Sequence, residues 1–329
     1  MFQGIAEQIT EATKEVRQQK VLRNYVETLE KQEKVNHRLK KKAESNLSKT
    51  SIPQVSSSKV IKSISLRSLF FNVFKKQENE KDSARSNFIR NILTSTHIDH
   101  CTAVYTKEIT ANKSKLKPGR EVTSLELLIK KIKNSTKDKY YSHDVLSMLQ
   151  FIDRLSQAKA KSIELERALN VGQTAEKHLQ TTIKNLTQEE NWGSWELVAS
   201  KKADYNQIPP SEIDKALDQM PLASAYIECF CILALPFLEN RNLVLHGDNL
   251  QGLFNAFIEN TIKDWIYADK IKATLSRSKQ VMNSVKVIIH GLENIYEQNK
   301  SEISLLEIET SKRIEETGKQ VEKRLNEKF

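Results

Sequence analysis

Potential metal ligands cluster between His97 and Cys101, where two His, one Asp and one Cys fall within five residues. Imidazole and thiolate both bind zinc, but a structural zinc site usually takes a second pair of ligands at a defined spacing. Cys229 and Cys231 are the available second pair, yet they lie in an apolar run and on different faces of a predicted helix. We therefore predict no metal site and no cofactor.

The segment Leu245-His246-Gly247-Asp248 is a second candidate for chemistry, and it resembles the catalytic loop of aminoglycoside-type phosphotransferases. In those enzymes the Asp is the base and an Asn five residues later holds magnesium, but that position is Leu253 here. No Gly-rich strand pair precedes the segment, and phosphoryl transfer needs all these parts together. We interpret Asp248 as a helix cap and predict that the chain is not an enzyme, with phosphotransferase as a remote alternative.

Long helices are the elements that would have to position such residues. From Ile271 onward, apolar residues recur at alternating steps of four and three residues, which is the spacing of a coiled-coil seam. No Pro follows Pro236, so we predict a C-terminal coiled-coil helix over residues 248–329, with one helix of an ordinary bundle as the alternative. The seam positions are Ile271, Leu275, Ser278, Met282, Val285, Ile289, Leu292, Tyr296, Asn299, Ile303 and Leu306.

A second long helix is predicted over residues 142–190, because apolar residues again form a seam there. If the intervening segment reverses the chain, the two helices pair antiparallel. In an antiparallel pair, the numbers of two facing residues, one from each helix, have a constant sum. Matching the two apolar seams gives a sum of about 451. This register places Leu155 beside Tyr296 and sets Ile152 against Asn299, a polar register marker within the seam.

The intervening segment, residues 191–247, is predicted to form a small helical knob. Trp192 and Trp195 lie close together and need burial, which a knob supplies. Pro209-Pro210 followed by Ser211 is typical of a helix start.

The apolar run from Leu222 to Leu238 is the best candidate for a membrane span. It is 17 residues long, at the lower limit for spanning, and contains Glu228 and Pro236. We interpret it as a buried core helix. Three Cys do not form a disulfide framework, and the N-terminus lacks a basic start followed by an apolar run, so a cytoplasmic location is expected.

The N-terminal part is predicted as an amphipathic helix over residues 1–48, followed over residues 49–141 by a linker, a Phe-rich short helix and a basic irregular region. Phe70 and Phe71 belong to the short helix, which either docks a partner or packs on the long helices. Residues 102–120 lack a clear period and are predicted to be irregular.

Basic charge is concentrated in the same part of the chain. Residues 1–140 contain 29 Lys and Arg against 15 Asp and Glu, a net charge of +14, whereas the remainder contains 23 against 27, a net charge of −4. The excess favours an acidic partner, an anionic lipid surface or the chain's own acidic helices. Nucleic-acid binding is not expected, because no recognisable binding module or aromatic-basic interleaving accompanies the charge.

Several motifs resemble those of a family of uncharacterised bacterial coiled-coil proteins. These are Trp192-Gly193-Ser194-Trp195, Asp264-Trp265 at the start of the last helix, and Ser65 to Phe70 upstream. Ala199 and Ser200 stand where the family carries glycines. The resemblance implies a long helical hairpin in the bacterial cytoplasm and no particular activity.

Together these observations predict an all-α protein, built as a long antiparallel coiled-coil hairpin with a helical knob and additional N-terminal helices. The predicted function is a non-enzymatic scaffold or spacer for protein partners, with a homodimer as one form and no small-molecule substrate. A peripheral protein that binds anionic membranes through its basic N-terminal region is the alternative. The residues assigned to structure and interaction are Trp192, Trp195, Trp265, Ile271, Met282, Leu292, Tyr296, Phe70 and Phe71.

Overall fold

The computed structural model describes residues 2–49, 82–119, 126–127, 142–191, 212–238 and 271–326. Over these ranges the chain is all-α, as predicted, with five long helices and no strand. The helices are α1 (Phe2–Lys49), α2 (Asp82–Lys113), α3 (Ser142–Asn191), α4 (Glu212–Leu238) and α5 (Ile271–Asn326).

Residues 1–48 and 142–190 were predicted to be helical, and their described parts lie in α1 and α3. One other region needs correction. Residues 102–113 were predicted to be irregular, but they continue α2. Val104, Tyr105 and Ile109 are buried there, so packing stabilises a helix that the polar composition did not indicate.

The chain divides into two compact units. The first comprises Met1–Thr28, Thr110–Leu169 and His290–Phe329, and the second comprises Leu29–Ile109 and Asn170–Ile289.

In the first unit, α3 and α5 run antiparallel and share an apolar core. Leu155 and Ala158 of α3 pack with Leu306 of α5, and the partly buried Phe151 and Ile303 complete this cluster. A second cluster joins α1 to both helices. Its members are Ile9, Met148, Leu149, Ile152 and Ile314.

Buried Gln19 of α1 fixes the segment that follows α2. Its side-chain nitrogen donates to the carbonyl of Lys115 at 3.1 Å, and its oxygen accepts from the backbone N–H of Lys117 at 2.8 Å. Lys117 also forms an ion pair with Glu15. One amide side chain therefore satisfies two backbone groups of the segment that follows α2.

The predicted register between α3 and α5 is wrong. Asn299 is buried on the seam, and its Nδ2 donates to the carbonyl of Ala158 at 2.8 Å. The predicted register placed Asn299 opposite Ile152, six residues earlier in α3. The residue numbers of the Asn299–Ala158 pair add up to 457, and those of the Lys159–Glu307 ion pair add up to 466, whereas the predicted register gives about 451. The two sums exceed the predicted 451 by 6 and 15 residues, on average about ten residues or about three helical turns. A shift of that size brings the same helix faces together again, so the apolar pattern by itself fits both registers.

Every predicted seam position of α5 from Leu275 to Leu306 is buried or half-buried. Within the second unit the buried stripe is wider than a coiled-coil seam, since Thr274, Val281 and Ile288 are also buried. Three buried residues per heptad are typical of a bundle helix with several neighbours. The ordinary-bundle alternative therefore describes this part of α5.

The core of the second unit includes most of α4, as predicted for the apolar run. Of the described helices, Asp218–Leu238 alone is long and apolar enough to cross a membrane, and 61% of that window is buried within the protein. α4 is described from Glu212 onward, and Ser211, the predicted helix start, lies outside the described residues. It approaches α3 so closely that a Cβ added at Gly172 would lie 2.7 Å from the fully buried Phe230 ring.

A disulfide test distinguishes the observed register from the predicted one. In a chain with Cys101, Cys229 and Cys231 replaced by Ala, Leu155→Cys with Leu306→Cys should form an intrachain disulfide on mild oxidation, measured by mass spectrometry. Facing core positions can bring Cα atoms within about 7 Å. The matched pair Leu155→Cys with Tyr296→Cys should stay reduced, because Tyr296 lies about 15 Å from Leu306 along α5. Preferential oxidation of the Tyr296 pair would contradict the observed register.

Gly172→Ala should lower the free energy of unfolding by about 1–2 kcal/mol, measured by urea denaturation. Overpacking against the buried ring costs about 1–3 kcal/mol, and replacing a helical Gly by Ala returns up to about 1 kcal/mol. Gly318→Ala is the matched control, because nothing lies within 4 Å of its added Cβ. The control should be neutral or more stable than the parent, and equal effects at both sites would refute close α3–α4 packing.

Candidate functional site

A group of polar side chains lies between α2 and α4 in the second unit, with Cys101 and Tyr105 buried and His97 and Glu228 half-buried. His97, Cys101 and Tyr105 lie four residues apart and therefore share one face of α2. Glu228 of α4 faces them from within a largely apolar helix. We call these four residues the α2–α4 polar cluster.

Hydrogen bonds connect the cluster across the two helices. The Tyr105 hydroxyl donates to Oε2 of Glu228. The Cys101 thiol donates to the backbone carbonyl of Pro221, with a sulfur-to-oxygen distance of 3.4 Å. Nε2 of His97 lies 3.4 Å from the same sulfur. Each polar residue of α2 in the cluster therefore has a polar neighbour, as buried polar groups require.

Burial dominates the electrostatics of the acidic groups. It raises the pKa of Glu228, while the hydrogen bond from Tyr105 opposes that rise. Burial also raises the pKa of the Tyr105 hydroxyl and of the Cys101 thiol, and the charge of Glu228 adds to both shifts. The pKa of Cys231 is raised to about 12 by burial and then by Glu228. These hydroxyl and thiol groups therefore keep their protons near neutral pH.

Burial, followed by the nearby His100, lowers the pKa of His97 to about 4. A neutral imidazole beside a protonated thiol is not an activated nucleophile, because the thiolate is the reactive form of Cys. Among the residues that the structure describes, no group of three or more His, Cys, Asp and Glu is arranged to hold a metal. The chemistry of the cluster is therefore hydrogen bonding, which fixes α2 relative to α4.

A second polar contact joins α3 to α4. The His178 ring stacks on Tyr226, with ring centroids 5.3 Å apart and planes 4° from parallel. Nδ1 of the same ring lies 2.9 Å from Oε1 of Gln219. Both contacts use residues of α4, so α4 is held by directional interactions from α2 and from α3.

The predicted interaction residues have different outcomes. Met282 and Leu292 are buried in α5, and Tyr296 is half-buried with the Lys300 ammonium 5.0 Å from its ring centroid. Ile271 begins α5, but its side chain lies outside the described residues. Also outside them lie Trp192, Trp195, Trp265, Phe70, Phe71 and the segment from His246 to Asp248.

The Tyr105–Glu228 pair was missed by the sequence analysis. Glu228 carried a signal, because a lone acid in an apolar run needs a polar partner once the run is buried. In the sequence, that acid argues against a membrane span and does not identify its partner. Tyr105 gave no signal, since it lies in the stretch predicted to be irregular.

Comparison with known protein families, curated proteins and solved structures finds no match for this chain. The resemblance to bacterial coiled-coil proteins therefore stays a prediction.

Glu228→Gln should stabilise the protein progressively as pH rises from 4 to 8. The folded-state pKa of Glu228 is raised, so its favourable contribution is complete below the unfolded pKa and is lost as pH rises through the folded pKa. Gln cannot ionise, so the variant does not lose stability as pH rises, and its side-chain oxygen still accepts a hydrogen bond from Tyr105. Urea denaturation at several pH values measures the effect, with exposed Glu302→Gln as the control. A pH-independent difference from the parent would contradict the argument.

Tyr105→Phe should destabilise the protein by about 1.5–3 kcal/mol near neutral pH, because it removes a hydrogen bond to a carboxylate. The variant should also raise the pKa of Glu228 further, since that hydrogen bond lowers it. The loss should shrink at pH 4, where the carboxyl group is more nearly neutral. The double variant with Glu228→Gln should lose much of this pH dependence; an unchanged pH dependence would assign it to other groups.

Proposed function

We propose that this chain is a non-enzymatic cytoplasmic scaffold that binds a helical protein partner through the outward face of α5. The observation that carries the proposal is a pair of large apolar side chains on that face. Leu305 is 64% exposed and Ile308 is 69% exposed, although both belong to a helix whose opposite face is packed. Residues three apart on a helix lie side by side, so the two form one apolar patch.

Two serines extend this patch along α5. Ser301 donates its hydroxyl proton to the carbonyl of Glu297, and Ser304 donates to the carbonyl of Lys300. Their hydroxyl protons are thus used within the helix, and their small side chains leave room for close approach. We call Ser301, Ser304, Leu305 and Ile308 the α5 outer strip.

The spacing of the strip favours a helix as the partner. Ser301, Ser304 or Leu305, and Ile308 follow steps of three and four residues, which is the pattern that one helix presents to another. Single exposed apolar residues are common and need no explanation, but an adjacent pair on one face is typical of an interaction surface. The charged residues that flank the strip include Glu297, Lys300 and Glu315. They would form the polar rim of such an interface.

The buried α2–α4 polar cluster supports the non-enzymatic part of the proposal. Its thiol and phenol groups are held in their protonated forms, and its hydrogen bonds are used to join helices. The protein's activity would then lie in its surfaces.

Leu305→Ser with Ile308→Ser should abolish partner binding while changing the free energy of unfolding by less than about 0.5 kcal/mol per site, because both positions are exposed. A photo-crosslinking residue at position 301 should capture the partner in the protein's own cells, and the double variant should lose that product. Glu302→Ser with Glu309→Ser is the matched control on exposed positions of the same helix. If the Leu305 and Ile308 double variant gave the same crosslinked product, the α5 outer strip would not be the surface that binds the partner.

Sedimentation equilibrium of the purified chain tests whether the partner is a second copy of the same chain. A concentration-dependent dimer that the Leu305 and Ile308 double variant loses would show that a second copy occupies the strip. A dimer that the variant keeps would place self-association elsewhere.

A further inference from the structure

Five cations project from one side of α1 within the second unit. Lys31, Lys34, Arg38, Lys41 and Lys42 are all exposed, and their spacing of three to four residues places them along one face. They occupy about 18 Å of helix at about 1.5 Å per residue. We call them the α1 basic face.

The opposite side of the same stretch packs into the second unit. Leu29, Asn36 and Ala43 are buried and recur every seven residues, so they form the inner stripe of α1. The α1 basic face therefore points away from the unit's core and is free to meet an extended surface.

Acidic residues close to this stretch contact groups other than the five cations. Lys40, the partly buried lysine of this stretch, pairs with Asp99 of α2 at 2.5 Å and lies 3.9 Å from Glu44. Oε1 of Glu33 accepts a hydrogen bond from the Thr106 hydroxyl. Within the described residues, none of the five exposed cations has an acidic partner. The net positive charge of the face is therefore available to an external anion.

Two aliphatic side chains accompany the cations. Val35 is 43% exposed and Leu39 is 48% exposed, and they lie one turn apart along one flank of the face. A nucleic-acid backbone or an acidic loop would engage the cations but would give these side chains no apolar environment. A bilayer surface offers both anionic headgroups and an apolar layer beneath them.

We propose that the α1 basic face binds the surface of an anionic lipid bilayer. Its five cations contact the headgroup phosphates and carboxylates, while Val35 and Leu39 enter the boundary between headgroups and acyl chains. Two weak signals, charge and apolar insertion, then act together, and salt weakens the charge part because it screens exposed cations. This binding does not depend on the α5 outer strip.

Co-sedimentation of the full chain with vesicles tests the proposal. The chain should pellet with vesicles of phosphatidylserine and phosphatidylcholine at a ratio of about 3:7, pellet less as NaCl rises, and stay soluble with pure phosphatidylcholine. Lys31→Gln, Lys34→Gln and Arg38→Gln together should weaken binding on the order of a hundredfold, since each basic residue contributes about fivefold near such a surface.

The matched control carries Lys177→Gln, Lys184→Gln and Lys279→Gln. These three lysines are exposed and belong to the second unit, but they lie on α3 and α5. The control has the same net charge as the test variant and should bind vesicles like the parent. If both variants lost vesicle binding equally, net charge alone would explain the effect, and the proposal that the α1 basic face binds the bilayer would be wrong.

Val35→Ser with Leu39→Ser separates a membrane from the other polyanions. This variant should bind anionic vesicles about tenfold more weakly while keeping the parent's salt dependence, because it loses apolar insertion alone. Duplex DNA is the comparison ligand. Absence of vesicle binding, or DNA binding that needs the three cations but not Val35 and Leu39, would overturn the proposal. Circular dichroism checks that each variant keeps its helices.

Discussion

Leu292, Val285 and Ser278 of α5 have no exposed surface, and each lies one heptad from the next. Burying a Leu or Val side chain contributes about 1.5–3 kcal/mol, so a stripe of such residues outweighs the weak intrinsic helix propensity of a charged segment. In the second unit this stripe is three residues wide per heptad, and the helix there is a bundle component. In the first unit it narrows to the seam that meets α3. In the first unit, α3 packs against this helix through Leu155, Ala158 and Leu306.

Apolar burial holds the helices together without specifying which residues meet, and the buried polar groups supply that specificity. Asn299 uses its amide nitrogen on the carbonyl of Ala158, while its Oδ1 has no protein partner. If α5 shifted along α3, the amide nitrogen of Asn299 would also lose its hydrogen bond. A buried polar group without a partner is destabilising, so the shifted register is disfavoured. The Tyr105–Glu228 pair does the same for α2 and α4. Such contacts stabilise one arrangement chiefly by penalising the others.

The two exposed surfaces differ in chemistry. On α1 the buried stripe of the second unit comprises Leu29, Asn36 and Ala43, and cations cover the outside. On α5 the seam uses most of the large apolar residues, yet Leu305 and Ile308 remain outside it. A charged face suits a broad anionic surface, whereas a short apolar strip suits a helix.

Local spacing determined much of the fold from sequence alone. The helical character of α1 and α3 and the buried positions of α5 follow from periods of three to four residues, because one helix face must leave water. Residues 102–113 escaped this reasoning, since their apolar face is sparse and becomes helical through packing. The register of α3 against α5 and the partner of Glu228 were decided by tertiary structure. A seam looks alike after a shift of three turns, and a sequence gives no distance between a Tyr and a Glu 123 residues apart.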